Sequence, residues 1–439
     1  MKKSLWILIS VVLLASLLLT ACGTPATDTT STGGKTDEKV TIRFFHKWPE
    51  PEQLDFYNYV IAEYEKAHPN VKIEMESASD EAYKDKIRIL MASGDVPDIY
   101  FSWAGEFSWK FARAGQALDL TDAVMNSDWK DKIVMAAVEP FKNDGKIYGV
   151  PMRINAKFMV YNKAIFEQYG LTAPTTWDEF LAVCETLKTN GVVPIAFGNE
   201  FPWASAHYVG DFNAKLVDPT VLKADYLLTA DADKLFTDPG YVEALNRFQT
   251  LAANGYFNDG SNGISHSNAR SSFIAGKVGM FYLELEEFAT IAEGKGDDWF
   301  GYFQLPGGTG GNGDQKLITG APDGFMVSSK TKHPAEVIDF LKFVTSPEMG
   351  YEYVKRLGIP SAAVGAVKED NSLASVRGGL EQINAASGMA LWMDTDMNIK
   401  IVEVYLPGMQ AVVGGTKAPA DVMVEVHDIA VTVQAELAQ

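Results

Sequence analysis

The chain of 439 residues carries 38 Lys+Arg against 57 Asp+Glu, a formal net charge of −19, with 47% hydrophobic and 22% charged residues. It is too long for one typical domain and apolar enough for a sizeable core, which excludes a disulfide miniprotein and wholesale disorder. So acidic a mean field repels polyanions and argues against nucleic acid as a partner.

Residues 1–21 read as a signal peptide: Lys2 and Lys3 precede a largely apolar run from Leu5 to Leu19. At about 1.5 Å per residue that run spans roughly 22 Å, short of the ~30 Å hydrocarbon core. Leu19, Thr20, Ala21, Cys22, Gly23 resembles the lipobox of bacterial lipoproteins, which implies diacylation of Cys22 and a lipid-anchored mature chain on the outer face of the cytoplasmic membrane. Two acyl chains hold a protein at a membrane where one is marginal. Residues 22–39, rich in Thr, Ser, Gly, Asp and Lys, read as a flexible tether. With Cys22 acylated, only Cys184 remains, so no intramolecular disulfide is possible; its helical neighbours Trp177, Phe180, Leu181 and Leu187 make it a buried apolar residue.

From Val40 the pattern alternates. Val40–Phe45 predicts a strand, Leu54, Tyr57, Ile61 and Tyr64 a helix stopped by His68 and Pro69, and Val71–Met75 a second strand. A helix through Tyr83, Ile87 and Met91 ends at Gly94, and Asp98–Phe101 is the third strand. Downstream, Thr176 and Glu179 form a capping box whose helix ends at Gly191, before a strand at Val192–Phe197. A helix through Tyr241, Leu245, Phe248 and Leu251 stops at Asn254, another closes with Phe273 and Ile274, Val278–Leu283 is strand-like, and His333–Val344 with Pro347–Leu357 make a helical pair. This predicts α/β lobes with helices on both faces of each sheet. Pro306–Asp314, dominated by glycine, reads as a surface loop or interlobe crossing.

The common catalytic signatures are missing. Gly308, Gly310 and Gly313 fit G-x-G-x-x-G but have no strand before and no helix after them. Asp394, Asp396 and Asn398 start like a calcium loop, but Ile399 and Tyr405 stand where Gly and Glu are needed. No H-E-x-x-H, G-x-S-x-G or Walker lysine occurs. Two opposed cleft carboxylates would suit a glycosidase or lyase, but with 57 acids such a pair arises by chance.

The informative excess is aromatic. Trp48 follows the first strand, Trp103 and Trp109 with Glu106 the third, and Trp203, His207 and Tyr208 with Asp211 the strand ending at Phe197, while Trp392 stands near Asp394 and Asp396. Loops at the carboxyl ends of α/β strands line ligand crevices. Sugars present an apolar C–H face and a rim of hydroxyls, which rings and polar side chains together can recognise.

Several stretches then resemble a family: Ile89–Tyr100, Gly145–Pro151, Tyr161–Lys163, Pro174–Phe180, Phe273–Met280 and Gly324–Val344 are similar to the extracellular solute-binding proteins of carbohydrate ABC importers, the maltose- and multiple-sugar-binding group. The resemblance implies a two-lobed periplasmic-binding-protein fold, with hinge-linked lobes whose central sheets are flanked by helices, closing over an oligosaccharide without reacting it. It places lobe 1 at 40–150 plus 317–357 and lobe 2 at 153–305 plus 358–439, with crossings near 151–152, 306–316 and 358. Where relatives often carry a Gly-Trp pair after Met280, this chain has Phe281, Tyr282, Leu283, Glu284, Leu285, Glu286, so Glu284 or Glu286 is expected as a hydrogen-bonding substitute. The expected stacking residues are Trp48, Trp103, Trp203, Tyr256 and Trp392. The expected polar contacts are Glu106, Arg153, Asn155, His207, Asp211, Glu284, Asp323 and Asp394. The implied partners are a xylo-, malto-, galacto- or gluco-oligosaccharide, the permease subunits and the membrane through Cys22, with no cofactor, no metal and a monomeric chain. A glycosidase or lyase, or the same fold carrying a polyamine, peptide or metal, stays open.

Overall fold

The computed structural model describes residues 39–308 and 310–438. The export segment, Cys22 and the tether up to Glu38 lie outside the described residues. Among the described residues no helix is long and apolar enough to cross a membrane.

The N-terminal alternation folds as its pattern dictates. Strands β1 (Val40–His46), β2 (Val71–Ser77) and β3 (Ile99–Trp103) are separated by helices α1 (Pro51–Ala67) and α2 (Asp80–Ser93), and α3 (Glu106–Arg113) follows. β1 pairs in parallel with both β2 and β3, and α2 ends at Gly94 in the left-handed conformation, φ 78°. Then come β4 (Gly149–Asn162), α4 (Trp177–Thr189), β5 (Val193–Ala196), α5 (Trp203–Leu216), α6 (Pro239–Ala253), α7 (His266–Ile274), β6 (Val278–Glu284), α8 (Phe288–Lys295), β7 (Phe300–Phe303) and β8 (Ile318–Val327). The capping box of Thr176 and Glu179 opens α4. The C-terminal part holds α9 (Pro334–Val344), α10 (Pro347–Leu357), α11 (Ala374–Ala385), β9 (Met389–Ala390), α12 (Ile399–Val413) and α13 (Pro419–Leu437).

The strands lie in the order β2-β1-β3-β8-β4-β6-β5, with β9 beside β8 and β7 beside β4. Two strands serve both halves of this path. β4 pairs with β8 over Gly149–Ala156 and then with β6 from Lys157 to Tyr161. β8 pairs on its other edge with β3, Asp323 opposite Trp103. Core membership follows: Val150 and Met152 of β4 belong to a core with Phe44, Tyr57, Phe325 and Phe340. Further along, Met159 enters a second core with Phe180 and Tyr282, and Phe158 and Val160 a third with Phe281 and Phe288. That alternation is the two-residue period of a strand buried on both faces. The first core makes one lobe; the second and third, on opposite faces of the sheet, make the other.

The passage between lobes therefore differs from the expected turns. It runs inside β4, which contains 151–152, and inside β8, whereas 306–316 packs on α5: Asn312 N–H donates to the Leu216 carbonyl at 3.0 Å and Asp314 N–H to that of Ala214 at 3.1 Å. A Cβ on Gly311 or Gly313 would meet that same backbone at 2.5 and 2.3 Å. These glycines serve a close approach to α5. Gly358 (φ 68°) ends α10 and lies against Ala289, 2.4 Å from where its Cβ would stand.

Candidate functional site

The carboxyl ends of β1 and β3, the middle of β4 and β8, the end of β6 and the start of α5 converge on one cleft of about 1200 Å³. Into it come Trp48, Trp103, Arg153, Trp203, His207, Glu284, Asp323, Trp392 and Asp394.

Arg153 sits at its floor, 1% exposed. Its Nε donates to Asp323 Oδ2 at 2.8 Å and its Nη2 lies 2.6 Å from the same oxygen, while Nη1 pairs with Glu286. Three further cations are similarly engaged: Lys47 with Asp80 at 3.0 Å, Lys84 with Asp394 at 3.4 Å and Lys157 with Glu284 at 3.4 Å. Burial pushes the Glu286 carboxyl up to about 8, with Arg153 opposing. It likewise raises Asp394, again against its lysine partner. Burial, then Lys157, holds His207 well below its ordinary value, so that ring is neutral.

The four indoles are not equivalent. Trp48 carries the Arg153 guanidinium 4.8 Å from its ring centroid and Tyr57 stacked on it at 5.8 Å and 11°. These contacts and its 4% exposure leave little of the ring open to the stacking expected for it. Lys47 and Lys84 lie 4.9 and 5.2 Å from the Trp103 ring. The His207 ring covers Trp392 at 4.5 Å. Trp203 alone of the four is half-buried, with Lys157 5.3 Å away.

Several buried polar atoms of the cleft lack partners. Among the described residues, Trp48 Nε1, His207 Nδ1, Asp323 Oδ1 and Asp394 Oδ1 are buried and have no hydrogen-bond partner. Such a group costs about 1–3 kcal/mol unless something supplies the missing bond. A hydroxyl, which both donates and accepts, can satisfy each of them.

Four expected residues are placed elsewhere. Tyr256 is a core residue: its carbonyl accepts from Ile195 N–H at 2.9 Å and its hydroxyl donates to Glu185 at 3.0 Å. Asp211 is a buried brace, accepting from Lys215 Nζ at 2.7 Å and Thr319 Oγ1 at 2.9 Å. Glu106 pairs along α3 with Arg113 at 2.5 Å. Asn155 is fully buried behind the cleft wall, its Nδ2 donating to Glu284 at 2.5 Å and its Oδ1 accepting from Glu286 N–H at 3.3 Å, so it orients the acids instead of lining the cleft.

The sequence reading missed Lys47, Lys84, Lys157, His266, Arg270 and Glu287. One signal was present: Arg153, Asn155 and Lys157 alternate with Ile154 and Ala156 along β4, a polar face on an otherwise apolar strand. Among the described residues no group of three or more His, Cys, Asp or Glu could hold a metal ion.

The family model described as "Bacterial extracellular solute-binding protein" matches residues 48–351. The multiple sugar-binding protein of Streptococcus mutans is 27% identical over 368 residues, 83% of this chain and 84% of that protein. Among solved structures, a chitin oligosaccharide binding protein superimposes with a TM-score of 0.81 at 23% identity, covering 90% of this chain and 99% of that one. A solute-binding protein in complex with raffinose gives 0.73 at 23% identity, over 90% and 100%.

Proposed function

Because the chain belongs to the bacterial extracellular solute-binding proteins, we propose that its cleft captures an oligosaccharide and delivers it unchanged to the permease of an ABC importer. The observation that carries this reading is the joint presence, in one cleft, of indoles and of buried polar atoms with no partner among the described residues. The names of the relatives, sugar-binding and oligosaccharide-binding, support the same ligand class.

The mechanism is a population shift. A ligand that touches Trp103 and Asp323 of one lobe and Trp203 and Glu284 of the other stabilises the closed arrangement by its differential affinity and by nothing else. The lobes of this proposal are 40–152 with 321–359, and 156–318 with the C-terminal part, joined through β4 and β8. The chain acts as a monomer held at the membrane through Cys22.

A polycation is the weaker ligand. Asp80, Glu284, Asp323 and Asp394, the acids beside the rings, each have a lysine or arginine partner already, so an ammonium entering there competes with those cations. Acids outnumber bases along the rest of the lining, and competition with spermidine separates the two ligands.

Calorimetry against xylo-, malto-, galacto- and gluco-oligosaccharides tests the reading, followed by chain-length analysis of the recovered ligand. We expect saturable binding of at least one class, returned intact and undisturbed by spermidine. A folded protein that binds none of them, or one that shortens its ligand, contradicts it.

A further inference from the structure

A single helical turn, Leu285–Glu287, follows β6, whose last residue is Glu284, and the acids Glu284, Glu286 and Glu287 all line the cleft. Glu287 is different: it is 7% exposed, and its carboxylate gathers donors from two elements. His266 Nε2 lies 2.9 and 3.0 Å from its two oxygens, Arg270 Nη1 donates at 2.9 Å, and the Glu284 N–H donates at 3.0 Å. The bond to Glu284 is reciprocal, since the Glu284 side chain accepts from the Glu287 N–H. The His266 ring in turn lies 4.9 Å from the Trp203 ring. Burial alone would raise the Glu287 carboxyl, but His266, Lys157 and Arg270 outweigh it and hold it well below the usual range.

We propose that Glu287 is the positioning residue of the cleft: by clamping α7 to the turn after β6 it sets the directions of the Glu284 and Glu286 carboxylates and the face of Trp203, and so decides which sugar isomers the cleft distinguishes. This rests on the oligosaccharide reading above but assigns Glu287 no ligand contact of its own. Selectivity follows from geometry here because a hydroxyl moved by one epimeric centre meets a fixed acceptor at the wrong angle, whereas a loose acceptor follows it.

The test compares Glu287→Gln, Glu287→Ala, His266→Gln and Arg270→Gln with the wild type in the unliganded state and against epimeric oligosaccharides. Without ligand, Glu287→Gln is expected to change the near-UV circular dichroism of Trp203, identified by subtraction of a Trp203→Phe variant. With ligand, it is expected to weaken the best glycan about tenfold, the scale of one charged hydrogen bond, and to narrow the ratio between best and second-best epimer. His266→Gln and Arg270→Gln are expected to narrow that ratio too, and Glu287→Ala to narrow it furthest. Gln can still close the turn, so the comparison survives a poorly folding Ala variant. The inference is overturned if the Trp203 signal is unchanged in Glu287→Gln, if affinity falls with the epimer ratio intact, or if the His266 and Arg270 variants behave as wild type while Glu287→Ala alone loses binding. Wild-type protein that binds no glycan overturns the oligosaccharide reading instead, and the ligand-free signal still decides whether Glu287 orders Trp203.

Discussion

Arg153 shows how one side chain ties the site to the fold. Its guanidinium is buried between Asp323 and Glu286 and packs on Trp48. Removing it leaves the buried Asp323 carboxylate and the half-buried Glu286 carboxyl without their cation, so Arg153→Ala is expected to cost about 3–5 kcal/mol in denaturant unfolding as well as ligand affinity. Unchanged stability would contradict the buried pairing. A second residue gives the protein a pH dependence of known sign. Burial, then Glu106, pushes the Asp396 carboxyl up to about 8, against about 3.9 in an unfolded chain. Between those values the folded protein keeps a proton that the unfolded chain has released. Stability from this group is therefore full below about pH 4 and falls as pH rises towards 8. Asp396→Asn should flatten that part of the curve, read as denaturation midpoints at pH 5 and pH 8, whereas parallel curves for variant and wild type would refute it. Residue type alone could not separate these roles: Tyr256 and Trp203 are both rings at loop boundaries, and only the partners that burial gives Tyr256 remove it from the site.

Among the elements, the segment after β9 bridges the lobes beside β4 and β8. Trp392 packs in the first core, whereas Met393 and Met397 pack in the second. Asp394 reaches Lys84 on α2, and Asp396 stands where a Cβ on Gly105 would be, at 2.4 Å. Gly105 also has φ 79°, so Gly105→Ala should meet both backbone strain and a clash. A loss of at least about 1 kcal/mol is expected, checked by thermal unfolding; a neutral substitution would mean that the segment does not seat as described. The elements themselves were mostly legible, because β1 to β3 and α4 announce themselves by period, by Gly94 and by the Thr176 capping box. The crossing was not. β4 changes partners at Lys157 without a turn or a glycine to mark it. The polar alternation of Arg153, Asn155 and Lys157 lies at that place but reads equally as an ordinary polar face, and pairing between residues far apart in the chain leaves no other local trace. The glycines of 307–313 misled for the same reason: a turn and a close backbone approach require the same residue.

At the scale of the whole molecule, the sheet brings together side chains spread from Trp48 to Asp394. The rings of the cleft were legible as an excess of tryptophan beside polar residues. The cations were not, because Lys47 and Lys84 in the lining, and Lys157 buried behind it, look like ordinary surface lysines until folding pairs each with an acid. That pairing gives Asp80, Glu284, Asp323 and Asp394 a cation each, so the rings at the centre of the cleft face paired acids, which suits an uncharged, hydroxyl-rich ligand, although acids outnumber Lys and Arg twelve to six along the whole lining. The decisive measurement is a crystal structure of the protein saturated with its tightest glycan. The account predicts a sugar ring against Trp203, with hydroxyls within hydrogen-bond distance of Asp323 and Asp394; a glycan bound outside the cleft, or within it but touching neither acid, would contradict it.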